Sequence, residues 1–165
     1  MAQVYLLLYD EKKNVLIAKK HKTWGGKPGK KLHGGGEYCY PGGGLEGGDP
    51  KEGALKEFLE ETGNPESNIT RFGDEFHVLS YSNEGKGTQE EAKIAYYVAF
   101  AKVSITGLRV LAATTTIHIR HDYVKDKELE EVGVFSYEEA TNIFRNPLHR
   151  DTGWFHQPTS DLAAL

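Results

Sequence analysis

Three glutamates, Glu57, Glu60 and Glu61, recur at the i, i+3 and i+4 spacing of one helical turn, directly behind the glycine-rich run Pro41-Gly42-Gly43-Gly44-Leu45-Glu46-Gly47-Gly48-Asp49. On a helix that spacing places carboxylates side by side, where like charges repel by about 0.2–0.5 kcal/mol per pair. A hard dication relieves the repulsion: Mg²⁺ takes carboxylate oxygens and keeps positions for water and substrate phosphate oxygens. The glycine run adds backbone that can approach a polyphosphate closely, offering carbonyls to a metal or amides to an anion. A solvated acidic helix face is the other reading of the same cluster.

The helix that must carry these groups is marked at both ends. Asp49 is placed to cap it, Pro50 suits its first turn, Glu52 stands at the capping-box position, and Gly63 can close the far end in a left-handed conformation. At about 100° per residue, Leu55, Phe58, Leu59 and Thr62 are expected on one face and Glu57, Glu60 and Glu61 on the other.

Loop and helix together resemble the Nudix box, whose pattern is Gly, five residues, Glu, seven residues, then Arg-Glu-apolar-x-Glu-Glu-x-Gly-apolar. Lys56-Glu57-Phe58-Leu59-Glu60-Glu61-Thr62-Gly63 matches its second half, and Gly43 suits its leading glycine. Asp49 then falls at the first acidic position, with a spacing to Lys56 one residue shorter than the pattern. Lys56 stands where the family has arginine, and Asn64 where an apolar residue is usual. An ammonium acts as a point charge and cannot grip a carboxylate through two parallel bonds as a guanidinium does.

The resemblance implies hydrolysis of the diphosphate linkage of a nucleoside diphosphate derivative: a nucleoside triphosphate, nucleotide sugar, ADP-ribose or dinucleoside polyphosphate. It implies Mg²⁺, or Mn²⁺, held by Glu57, Glu60 and Glu61 with the Gly43 or Gly44 carbonyl, and it places Lys56 in the catalytic set. For the general base it leaves Glu61, Glu46, Glu90, Glu130 and Glu131 open, with Glu130 and Glu131 foremost outside the box. A Nudix-fold module that binds a nucleotide or regulates a partner without turnover is the alternative, supported by the short loop and Lys56.

Two other glycine-motif readings fail. Gly42-Gly43-Gly44-Leu45-Glu46-Gly47 fits a dinucleotide fingerprint but lacks the long preceding strand and the βαβ repeat. Gly26-Lys27-Pro28-Gly29-Lys30-Lys31 lacks the first glycine and the Ser or Thr of a phosphate-binding loop.

Lysines crowd the segment ahead of the box, and Trp24, Lys27, Lys30 and Lys31 are candidates to stack on a base and meet phosphates. A solvated loop is the simpler reading of the same residues. The net charge of −4 over 165 residues gives no strong nucleic-acid signal. The single cysteine, Cys39, excludes an internal disulfide and reads as a buried thiol, which suits a reducing, cytoplasmic setting. The apolar start, Val4 to Tyr9, is too short to span a membrane and reads as a strand. Exposed strand edges would permit a homodimer.

Further along, Val4 to Tyr9 and Val15 to Lys19 are expected to form a hairpin, Glu37 to Tyr40 a short strand, and Glu75 to Tyr81 another. Lys93 to Val103, apolar on both faces, is expected inside the sheet. Thr114 to Tyr123 alternates as a half-buried strand would, and Ser136 with Glu139 opens a second helix that Asn146-Pro147 stops. The whole is read as an α/β protein, an α/β/α sandwich around a mixed sheet with the Nudix fold. It is read as one domain over 1–165 with a C-terminal tail at 147–165, the resemblance covering about residues 3–145.

Overall fold

Alternation along strand β1 (Ala2–Tyr9) sends Val4, Leu6 and Leu8 into one hydrophobic core and Leu7 and Tyr9 into a second, all of them buried. A strand covered on both faces needs a helical layer on each side. The computed structural model, which describes residues 2–24, 28–73, 75–82 and 94–165, has both.

Among the described residues, β1 joins β2 (Val15–Lys20), β3 (Tyr38–Cys39), β4 (Gly42–Leu45), β5 (Glu75–Tyr81), β6 (Ala95–Lys102) and β7 (Leu129–Phe135) in one seven-stranded mixed sheet. The path is β3-β2-β1-β6-β5, with β4 also pairing β1 and β7 also pairing β2. Only the β1–β6 pair is parallel among these strands, running from Ala2↔Ala95 to Tyr9↔Lys102.

Helices α1 (Pro50–Thr62), α2 (Glu66–Phe72) and α3 (Ile105–Arg120) cover one face through Leu55, Phe58, Ile69, Leu108 and Leu111. On the other face, α4 (Tyr137–Arg145) contributes Ala140 and Phe144, and the segment containing α5 (His156–Asp161) contributes Trp154, Phe155 and Leu162. Each large apolar side chain so buried contributes about 1.5–3 kcal/mol. The result is the α/β/α sandwich expected from the sequence, with β6 inside the sheet. Residues 147–165, read as a tail, supply two of the bulkiest side chains of the second core, Trp154 and Phe155.

Thr114 to Tyr123 is not a strand: through Arg120 it is the second half of α3. Ser104 caps that helix by accepting the Gly107 N–H, and Leu108, Leu111, Ala112 and Thr115 bury a stripe at helical spacing. Thr115 and Thr116 hydroxyls donate to the carbonyls of Leu111 and Ala112, so these β-branched residues satisfy their polar groups within the helix. Packing overrode their strand propensity.

Helix α1 ends as expected, with Pro50 in the first turn and Gly63 at φ 74° donating its N–H to the Leu59 carbonyl. Asp49 is the capping residue by backbone conformation, but its side chain makes no capping bond, so the capping box with Glu52 is not formed. The faces are also rotated from the expected ones: Leu59 is 41% exposed and Glu61 only 1%. Glu61 turns inward because its Oε1 accepts the Gly42 N–H at 3.1 Å. The Ser136–Glu139 capping box of α4 is complete, each side chain accepting the other's backbone N–H.

Candidate active site

Strand β4 is nearly all glycine and lies antiparallel to β1, with Tyr5↔Gly42, Val4↔Gly43 and Gln3↔Gly44 in register. Gly47 and Gly48, at φ 99° and 85°, then turn the chain into α1. With no side chains at Gly42, Gly43 and Gly44, Glu57 and Glu61 of α1 lie against the backbone of β4. A Cβ at Gly43 would stand 2.6 Å from Glu57 Oε2. Burial, and then the charges of Glu60, Asp126 and Glu128, push the Glu57 carboxyl up to about 7.

Glu57 and Glu60 are joined by Asp126, while Glu57 also bears on the buried Glu61 carboxyl. Glu57, Glu60 and Asp126 each bring a carboxylate oxygen within 4.8 Å of the others, all three half-buried. The Asp126 N–H donates to the Glu60 carbonyl at 2.9 Å, which ties the segment after α3 to α1. Burial and the neighbouring Glu60 raise the Asp126 carboxyl as well. The only cation bonded to this group among the described residues is Lys125, 3.4 Å from Glu60 Oε1 and largely exposed. A clustered, oxygen-only, mutually repelling donor set fits a hard divalent cation.

Glu61, one helical turn beyond Glu57, is buried. It lines a cleft of about 360 Å³ together with Lys20, Glu128 and the Gly42–Gly44 backbone. Burial pushes the Glu61 carboxyl well above its usual range, Glu128 and Glu57 add to the rise, and Lys20 and the Gly42 N–H oppose it. Burial raises Glu128 too, with Lys20 again opposing. Tyr5, Tyr96, Trp154 and Phe155 line the same cleft. Trp154 packs against Tyr96 and Tyr5 at 5.1 and 5.4 Å between ring centroids, so these rings brace one another. The polar groups Gln3, Asp151 and Thr152 also line the cleft.

The remaining sequence candidates are placed elsewhere. Lys56 pairs with Glu46 at 3.4 Å, both exposed. Glu130 and Glu131 are exposed on β7, Glu130 reaching Lys19 at 4.0 Å. Lys30 sits over the Trp24 ring at 5.8 Å, and Trp24, Lys30 and Lys31 do not line the cleft. Lys27 and Glu90 lie outside the described residues. Cys39 is free and buried, lines the cleft, and burial raises its thiol.

Sequence reasoning missed Asp126 and Glu128, and it held Lys20 only as one of the lysines crowded ahead of the box. Glu128 belongs to the acidic run Glu128-Leu129-Glu130-Glu131, so the run was a signal, but alternation would put Glu128 and Glu130 on one face. Lys19 pairs with Glu131 while Lys20 pairs with Leu129, which leaves Glu130 as the extra residue of a bulge and separates the two carboxylates. Asp126 carried no local signal.

The family model described as NUDIX domain matches residues 1–154. Among solved structures, a mutT/nudix family protein from Listeria innocua aligns with 99% of this chain and 90% of its own at 18% identity and a TM-score of 0.59. A MutT protein from Methanosarcina mazei Go1 aligns over 99% and 93% at 17% identity and 0.59. An Ap4A hydrolase from C. elegans, solved as a binary complex, aligns over 99% and 95% at 15% identity and 0.56. These likenesses are likenesses of fold. No curated protein sequence matches the chain.

Proposed function

This chain belongs to the NUDIX domain family and is a hydrolase of phosphoanhydride bonds of that type, and we propose that it cleaves the diphosphate linkage of a nucleoside diphosphate derivative with Mg²⁺, or Mn²⁺, as its cation. The supporting observation is one cleft lined both by ionisable groups, Glu61, Glu128 and Lys20, and by aromatic rings including Trp154. A nucleotide calls for both kinds of group, one for its phosphates and one for its base.

Held by Glu57, Glu60 and Asp126, a divalent cation would neutralise phosphate oxygens and favour attack by water on phosphorus. The chain's own residues do the rest. Lys20, whose ammonium donates to the His33 carbonyl at 2.8 Å, keeps two donors for phosphate oxygens. Trp154 and Tyr96 offer ring faces to a base, and Gln3, Asp151 and Thr152 offer hydrogen bonds to base or sugar. As water's oxygen bonds to phosphorus and the bridging P–O bond breaks, the bridging oxygen leaves with the electron pair. Water's proton passes to a carboxylate, for which Glu128 faces the cleft and Glu130 and Glu131 do not line it. The buried single thiol is compatible with a cytoplasmic setting. Among the described residues no helix is long and apolar enough to cross a membrane.

The test is chromatographic product analysis with Mg²⁺ and a panel of nucleoside triphosphates, nucleotide sugars, Ap4A and ADP-ribose. Ap4A enters because the C. elegans relative is an Ap4A hydrolase. Cleavage within a diphosphate link, abolished by Glu61→Gln, is the expected result. Nucleotide binding without cleavage, with Mn²⁺ also tried, would leave a binding module.

A further inference from the structure

The aromatic wall of the cleft is held by a residue that does not line it. Asp151 and Thr152 begin the helical segment that carries Trp154 and Phe155, and the first N–H groups of a helix have no partner inside it. Both are satisfied from far away in the chain. Glu37 Oε1 accepts the Asp151 N–H at 3.0 Å, the Thr152 N–H at 3.1 Å and the Thr152 hydroxyl at 3.1 Å.

Glu37 is itself fixed to the strand that carries Lys20. Its carbonyl accepts the Lys20 N–H at 3.0 Å, and its own N–H donates to the Gly34 carbonyl at 3.0 Å. A second tie crosses the same gap, the Gly34 N–H donating to Asp151 Oδ2 at 3.2 Å. The contact is close: a Cβ at Gly34, which has φ +71°, would stand 3.1 Å from Thr152 Cγ2. One carboxylate-bearing residue therefore links the lysine-bearing strand to the segment that carries Trp154 and Phe155.

We propose that Glu37 is a positioning residue for substrate binding: its carboxylate caps the segment that starts at Asp151 and sets the distance between Lys20 and Trp154. Removing it leaves three donors without their acceptor, and Thr152, only 6% exposed, is poorly placed to recover them from water. The wall then loosens while the carboxylates of α1 stay where they are. Affinity changes and the chemical step does not. The kinetic part of this inference rests on the hydrolase reading above.

Glu37→Ala and Glu37→Gln are compared with wild type by amide hydrogen exchange and by steady-state kinetics on whichever panel substrate the wild type cleaves. In Glu37→Ala, exchange over 151–155 should accelerate about tenfold with β1 and β6 unchanged. KM should rise about tenfold, with kcat within about twofold of wild type. Gln keeps an acceptor oxygen of the same reach, so Glu37→Gln should fall between the two; it also serves if the Ala variant does not fold. Unchanged exchange at 151–155, or a fall in kcat at constant KM, overturns the proposal. If the wild type cleaves nothing, the hydrolase reading has failed, and exchange together with the binding of adenosine α,β-methylene diphosphate, read by Trp154 fluorescence in a Trp24→Phe background, decides the positioning role.

Discussion

The Glu57 carboxylate rests on the backbone of Gly43, where an added Cβ would lie 2.6 Å from Oε2; at Gly44, the next residue, an added Cβ would meet nothing within 4 Å. Gly43→Ala should displace Glu57 and lower kcat by roughly tenfold to a hundredfold, since a displacement of about 1 Å is enough for that. Gly44→Ala should lose far less. Turnover of the two variants, with thermal melting as a check on folding, gives the comparison; equal losses would mean that the contact with Glu57 does not matter.

Asp126, which closes the carboxylate cluster with Glu57 and Glu60, should matter more to cation binding than either glutamate on β7. Asp126→Asn should weaken Mn²⁺ binding by about tenfold or more in calorimetric titration, in line with the sensitivity of metal sites to their surroundings. Glu130→Gln removes only an exposed pair to Lys19 at 4.0 Å, an interaction of about 0–1 kcal/mol, and should leave the titration much closer to wild type.

Glu57 also predicts how the metal-free protein responds to pH. Its carboxyl is raised from an ordinary 4.5 to about 7 in the fold, so between those values the native state binds more protons than the unfolded chain. Stability then falls as pH rises, being fully present below the ordinary value and lost through about 7. Urea midpoints in chelator at pH 5 and pH 8 should differ in that sense. Glu57→Gln should flatten the difference, and Mg²⁺ should raise the midpoint at pH 8. A midpoint that climbs with pH in chelator would contradict this account of the cluster.

Phe155, 1% exposed, packs edge-on against Tyr5 and Tyr40 with centroids at 4.9 and 5.2 Å. Phe155→Ala should cost about 3–5 kcal/mol, as for other buried aromatic residues. Denaturant unfolding of the whole chain measures it. A loss below about 1 kcal/mol would mean that the segment packs only loosely on the core.

Much of this was legible along the chain because it is local. Pro50 and Gly63 bound α1, the Ser136–Glu139 box opens α4, and the apolar run from Val4 to Tyr9 reads directly as a strand, since caps, turns and alternation act over a few residues. The glutamates of α1 and the glycines before them are in the same category. The threonine-rich part of α3 was not, because β-branched residues favour strands until a buried stripe outweighs them.

What the sequence by itself determined is an α/β chain that carries a glycine run and three helical carboxylates on adjacent elements. The tertiary structure decided how those carboxylates are shared out. The Gly42 N–H holds Glu61 in the cleft, the chain after α3 brought Asp126 to Glu57 and Glu60, and a bulge in β7 parted Glu128 from Glu130. Each depends on contacts between residues far apart in sequence, the bulge through the pairing of β7 with β2, and no local pattern encodes such contacts. Only the closing of the sheet and its helical layers brings these residues within reach of one another.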